Sequence, residues 1–267
     1  MRPVGRLQVI AVTTTLVAVA QGASPQPNAS TLWEEFNHAI GGREALARVT
    51  SLSAAGEFRR RAGDGTIAGK LQIALLWPLH FSKTRIETPA PGMSLTRMWL
   101  FDGITSTALI QGAPADGLEE RSDAERDRLG ALLLGKIPSG AELSYGGEAK
   151  SPDRTASVVD VDSPSGAFRM FIDPKTHRPL MLSYTGQLLK GGSTFNFAGA
   201  DGQIRTLKDS KAASSEGAIT LFVSDYLDID GIFLPGTLSY SVNGTPLEEW
   251  TLDYKVNENL SPKQFQP

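Results

Sequence analysis

The chain has 267 residues, a formal net charge of −3, 40% hydrophobic and 21% charged residues, and no cysteine. This is an ordinary globular composition, and the chain is long enough to bury a sizeable core. The near-neutral charge without a basic block excludes electrostatically driven nucleic-acid binding, and the missing cysteine excludes a disulfide framework and a thiol nucleophile.

The first residues, Met1-Arg2-Pro3-Val4-Gly5-Arg6, are basic, and Val9 to Ala20 follow as a mostly apolar run ending in the small-x-small pattern Ala18-Val19-Ala20. Residues 1–20 therefore read as a signal peptide cleaved near Ala20, with an uncut N-terminal anchor as the alternative. An exported chain without cysteine suits a bacterial periplasm, and it cannot be acylated on a cysteine behind its signal. No run reaches the roughly 18 apolar residues that cross a bilayer, so no transmembrane segment is expected in the mature chain. Residues 21–29, with Ser24-Pro25-Gln26-Pro27-Asn28, read as a linker.

Ser30 or Thr31 is expected to cap a helix running to about Val49, with Leu32, Phe36, Ile40, Leu46 and Val49 on its buried stripe and a break at Gly41-Gly42. From Ser51 the period changes to two. Strands are expected near 51–61, 66–77, 79–88, 94–101 and 104–111. A second helix then starts at the capping-box sequence Ser122-Asp123-Ala124-Glu125 and carries Leu129, Leu132, Leu133 and Ile137 up to Pro138. Strands resume near 141–148, 154–162, 166–173 and 179–186, and three long ones close the chain at about 217–229, 232–243 and 246–257. Asp230-Gly231 and Asn243-Gly244 supply the last two turns. Residues 187–215 are glycine- and serine-rich and read as a long loop or insertion with at most a short strand. No repeat and no linker divides the sheet, so 30–263 reads as one domain.

Catalytic signatures are missing from the chain. The three histidines, His38, His80 and His177, lie on a helix, a strand and a turn, and none has a partner at metal-ligand spacing. There is no Gly-x-Ser-x-Gly elbow and no phosphate-binding Gly-x-x-x-x-Gly-Lys loop. The acidic pairs Glu34-Glu35, Glu119-Glu120 and Glu248-Glu249, and the charged run before the second helix (Arg121, Asp123, Glu125, Arg126, Asp127, Arg128), read as solvated surface. Arg59-Arg60-Arg61 reads as an exposed strand end, or else as a site for an anionic head group. The chain is read as a non-enzyme with no cofactor and no metal.

What remains is the sheet's dry face. Trp250, Leu252, Tyr254 and Val256 alternate with Glu249, Thr251, Asp253 and Lys255, and similar phases place Leu71, Ile73 and Leu75 together, then Leu95, Trp99 and Phe101. Phe168, Met170 and Ile172 form another such row, followed by Leu180, Leu182 and Tyr184, and by Leu238, Tyr240 and Val242. Burying each such side chain contributes roughly 1.5–3 kcal/mol, so the face cannot stay in water. Two short helices cover only part of about eleven strands, so the antiparallel sheet must curl on itself with the helices in its mouth. The enclosed space is either packed with aromatics or an apolar ligand cavity. In the second case its lining is Leu75, Trp99, Phe101, Phe168, Met170, Leu182, Tyr184, Leu238, Tyr240, Trp250, Leu252 and Tyr254.

Three stretches carry a family resemblance. "HAIGGREALARVTSLSAAGEF" is similar to the opening helix and first strand of the LolA/LolB-like superfamily of outer-membrane lipoprotein carriers, and "FIDPKTHRPLMLSYTG" to their central hairpin. "SDYLDIDGIFLPGTLSYSVNGTPLEEWTLDYKVNENLSPKQF" resembles the ending of exported members. The resemblance implies an unclosed β-barrel with helices as a lid over a hydrophobic cavity, which in the carriers takes lipoprotein acyl chains across the periplasm. The expected partner is then a lipid or acylated lipoprotein, bound by a carrier or sensor of the cell envelope. The alternative is a ligand-free scaffold that binds envelope proteins through the same sheet and the 187–215 loop. No carrier residue that binds cargo matches a position here.

Overall fold

The computed structural model describes residues 28–62, 65–89, 92–115, 121–189, 194–198, 204–208 and 214–267. The expected signal peptide and residues 21–27 of the expected linker lie outside them.

Three helices and fifteen strands are described. The helices are α1 (Ala29–Ala39), α2 (Arg43–Arg48) and α3 (Ser122–Leu134). Strands β1 (Ser51–Ala62), β2 (Gly65–Leu76), β3 (His80–Glu87), β4 (Leu95–Phe101), β5 (Ser106–Ile110) and β6 (Ala113–Pro114) precede α3. After it come β7 (Glu142–Lys150), β8 (Thr155–Asp162), β9 (Phe168–Ile172) and β10 (Pro179–Leu189). A separate hairpin, β11 (Thr194–Ala198) and β12 (Ile204–Lys208), stands inside the segment read as a long loop. Strands β13 (Ser214–Ile229), β14 (Ile232–Val242) and β15 (Thr245–Val256) close the chain, followed by a 3-10 turn, Pro262–Phe265.

All strands but the β11–β12 pair form one antiparallel sheet of thirteen in the order β6-β5-β4-β3-β2-β1-β15-β14-β13-β10-β9-β8-β7. The first and last long strands lie side by side in its middle, with Leu52 opposite Val256 and Phe58 opposite Trp250. Its two ends, β6 and β7, do not pair, so the barrel is unclosed. The chain between those ends is α3, which thus runs from one free edge to the other across the mouth. It packs against β3, β4 and β5 on one side and β10 on the other.

The alternation read from the sequence sets the curvature. Along β15, Trp250, Leu252 and Tyr254 are buried while Glu249, Thr251, Asp253 and Lys255 are exposed. The turns Asp230-Gly231 and Asn243-Gly244 have positive φ at both residues (54° and 82°, 48° and 77°), the mirror-image geometry whose twist matches that of the strands it joins. The first helix breaks at Gly41-Gly42 as expected, but its cap is Asn28, whose Oδ1 accepts from the Ser30 amide at 3.0 Å. Helix α3 stops earlier than Pro138. Gly135 turns left-handed, its amide reaching Ala131 O and that of Lys136 reaching Gly130 O, and this leaves Ile137 exposed.

A bulge between Pro179 and Met181 changes one assignment. Strict alternation places Leu180 on the face of Leu182 and Tyr184. It packs instead with Met181 against Ala156, Val158 and Phe171 on the sheet's outer face.

Candidate functional site

The concave face carries the residues expected to line a cavity, and the structure gathers them in register. Leu75, Phe101, Phe168, Met170, Leu182, Leu238, Trp250, Leu252 and Tyr254 belong to one buried cluster, with Tyr184 and Tyr240 packed half-buried against it. Trp99 is buried beside this floor, 4.5 Å beneath the Lys83 ammonium. The covering comes from the chain itself. Trp33, Phe36 and Ile40 of the α1 segment and Leu129, Leu132, Leu133 and Leu134 of α3 join the same cluster. Helix α3 is buried around most of its circumference, Ser122, Glu125 and Asp127 included, which a surface helix does not tolerate but an inserted one does.

Polar contacts tie this lid down. Trp33 Nε1 donates to Gly135 O at 3.0 Å, joining α1 to the end of α3, and Lys136 Nζ donates to Leu46 O at 2.6 Å. Lys83 on β3 donates to both Glu125 oxygens at 2.6 Å, with both side chains at most 4% exposed. Asp127 accepts from Arg126 and from Ser165 Oγ, each at 2.6 Å.

Several charges read as solvated are therefore buried. Glu125 was expected to complete a capping box. It turns inward to Lys83 instead, and the N-cap residue, Arg121, makes no side-chain cap bond. Asp127 is enclosed with it. Glu248 is buried as well, accepting from Arg85 at 2.8 Å and from Trp250 Nε1. Of Arg59-Arg60-Arg61, the outer two are exposed, while Arg60 turns inward and donates to Glu87 at 3.2 Å.

These charges form a second zone of the concave face. Phe81, Lys83, Arg85 and Glu87 share one side of β3, opposite Phe101, Trp99, Arg97 and Leu95 of β4. Glu87 stands 3.8 Å from Arg85 and 3.6 Å from Arg97. Arg85 lies 4.3 Å over the Phe58 ring. Burial lowers the pKa of Arg97, Glu87 opposes that shift, and the Arg60 and Arg85 charges add to it. The floor thus grades from apolar at the helix-covered end to charged at the rim. Sequence reasoning missed this zone, although Lys83, Arg85 and Glu87 at the phase of Phe81 were its visible signal.

Two pockets open on the sheet, one at the rim and one on the outer face. At the rim, β1 pairs with β15 only as far as Arg60–Glu248 but continues with β2 to Ala62–Gly65. The wedge that opens is a pocket of about 270 Å³ bounded by Arg59, Arg60, Arg61, Tyr240, Leu247 and Glu248. On the outer face, Ala156, Phe171, Leu180, Met181 and Phe222 line a groove of about 430 Å³ with Lys150 and Arg154 at its end. Among the described residues no group of three or more His, Asp or Glu is placed to hold a metal ion, and no helix is long and apolar enough to cross a membrane. His80 packs on Phe265, and His177 Nδ1 lies 3.3 Å from Glu35.

No protein-family model matches the chain, and no curated protein matches it in sequence. Solved structures do match. A LolA superfamily protein of Nitrosomonas europaea aligns over 90% of this chain and 98% of its own, with TM-score 0.51 and 11% identity. A DUF1329 family protein of Desulfovibrio piger aligns over 90% and 97%, with TM-score 0.51 and 9% identity. A putative outer membrane lipoprotein-sorting protein domain of Vibrio parahaemolyticus aligns over 89% and 97%, with TM-score 0.49 and 12% identity. The chain has a LolA-like fold: an unclosed antiparallel barrel with helices across its mouth.

Proposed function

We propose that this is an exported, periplasmic protein that binds an acyl chain, of a lipid or of a lipoprotein, between the lid helices and the concave floor, as a carrier or sensor and without covalent chemistry. The observation that carries the reading is the position of α3, a single helix strung between two free sheet edges over a continuous apolar floor. An acyl chain would replace the contacts α3 makes with that floor, so binding requires a lid that opens more easily than the sheet. The shared fold, and the acyl-chain cavity that the sequence resemblance implies, support the same reading; fold alone does not carry function. The twelve floor residues named above are the proposed contacts.

The test is uptake of a fluorescent fatty acid by the purified chain. Trp99→Ala and Leu182→Asp are expected to abolish uptake, and Lys255→Ala, on the outer face, to leave it intact, with thermal melts reporting folding. Unchanged uptake in folded floor variants would remove the idea. The scaffold alternative has one observation of its own, the outer-face groove with Phe222 46% exposed. It is favoured if Phe222→Asp blocks capture of an envelope protein while no acyl chain binds at all.

A further inference from the structure

The charged rim of the floor has features that a purely apolar ligand does not explain. Burying ions inside a barrel is unfavourable unless every charge and donor is satisfied. Here the Arg60 and Arg85 guanidiniums converge on Glu87, and Arg85 is shared with Glu248. Yet the Nε–H groups of Arg60 and Arg85 are buried without a hydrogen-bond partner. An unmade bond from a buried donor is costly, and a planar guanidinium fork matches the oxygens of a carboxylate or phosphate. The wedge pocket between β1 and β15 has Arg60 and Glu248 in its wall, the partners of Glu87 and Arg85, with Tyr240 and Leu247 beside them. Phe58, Trp99 and Trp250 then connect the charged rim to the apolar floor.

Resting on the acyl-binding reading, we propose that Arg60 and Arg85 seat the anionic headgroup of the ligand, a carboxylate or a phosphate monoester. Its oxygens take the guanidinium donors in competition with Glu87 and Glu248, and its chain runs past Phe58, Trp99 and Trp250 beneath α3. The ligand class is therefore an acidic amphiphile, not a neutral one.

Calorimetry of the purified chain with dodecyl phosphate, dodecanoate, dodecanol and inorganic phosphate, all below micelle formation, tests this. Dodecyl phosphate or dodecanoate is expected to bind at least about tenfold tighter than dodecanol, the scale of one charge-assisted hydrogen bond. R60Q and R85Q are expected to bring the anionic ligands down towards dodecanol. E87Q, which removes a competing carboxylate, is expected to tighten the anionic ligands. Tightening in E87Q separates a binding role from a structural one, and it decides the matter if an arginine variant fails to fold. Equal binding of the three amphiphiles overturns the headgroup seat and leaves the acyl-binding reading standing. Binding of none of them overturns both. Inorganic phosphate binding as tightly as dodecyl phosphate marks a free-anion site and also overturns the proposal, as does E87Q without tightening.

Discussion

Lys83 and Glu125 form a buried ion pair, both side chains at most 4% exposed. Glu125→Ala takes from the buried Lys83 ammonium both of its hydrogen bonds to the Glu125 carboxylate, so it is expected to destabilise by roughly 3–5 kcal/mol in urea unfolding. Replacing both, as Lys83→Met with Glu125→Leu, is expected to be nearly neutral, because the desolvation cost of both charges disappears. Tyr254 offers a pH test. Burial raises the pKa of Tyr254, with Tyr226 adding to the shift, far above the ordinary 10.0, and its hydroxyl donates to Pro235 O at 2.7 Å. A raised folded pKa means the neutral phenol stabilises the fold. That contribution is complete below pH 10 and is lost as pH rises above it. Melting temperature is therefore expected to fall steeply above pH 10, and Tyr254→Phe to flatten the fall while removing about 1 kcal/mol at neutral pH. The floor residues were legible because each is apolar at an apolar phase. Lys83, Glu125 and Glu248 were not, since a charge at an inward phase finds its partner only across the sheet or on a helix, and sequence spacing does not show that partner.

At the level of elements, α3 is the proposed gate to the floor. An alanine Cβ at position 130 would lie 2.4 Å from the Trp77 ring, so the helix sits as close to the sheet as a bare backbone allows. Alanine in a helix interior normally gains about 1 kcal/mol over glycine, but overpacking of this kind costs about 1–3 kcal/mol. Gly130→Ala is thus expected to destabilise modestly and to speed uptake of a fluorescent fatty acid by lifting α3. Slower uptake with unchanged stability would mean that the helix is not the lid. Twelve strands of the main sheet, both two-residue turns and the break in the first helix were readable from period and turn chemistry, whereas the two-residue β6 and the β11–β12 hairpin were not. The caps were not: Asn28 took the role expected of Ser30 or Thr31, and Glu125 turns from its capping position to the desolvated Lys83 ammonium. The Pro179–Met181 bulge escaped for a related reason, since one inserted residue shifts the phase without changing composition.

For the whole molecule, the sequence required a large antiparallel sheet to curl under too few helices, and the unclosed thirteen-strand barrel is that solution. The pairing of β1 with β15 in the middle of the sheet, and α3 as the strap between its free edges, depend on long-range register and emerge only in three dimensions. That arrangement leaves the floor covered by the α1 segment and α3, and the acyl-binding proposal requires α3 to open. Organic extraction of the protein purified from the cell envelope of its native host, with mass spectrometry of the extract, shows whether an acyl lipid sits there. A stoichiometric acyl lipid is the expected result. An empty extract, from protein that also fails to take up a fluorescent fatty acid, would rule out acyl-chain binding and leave the floor as packed core alone.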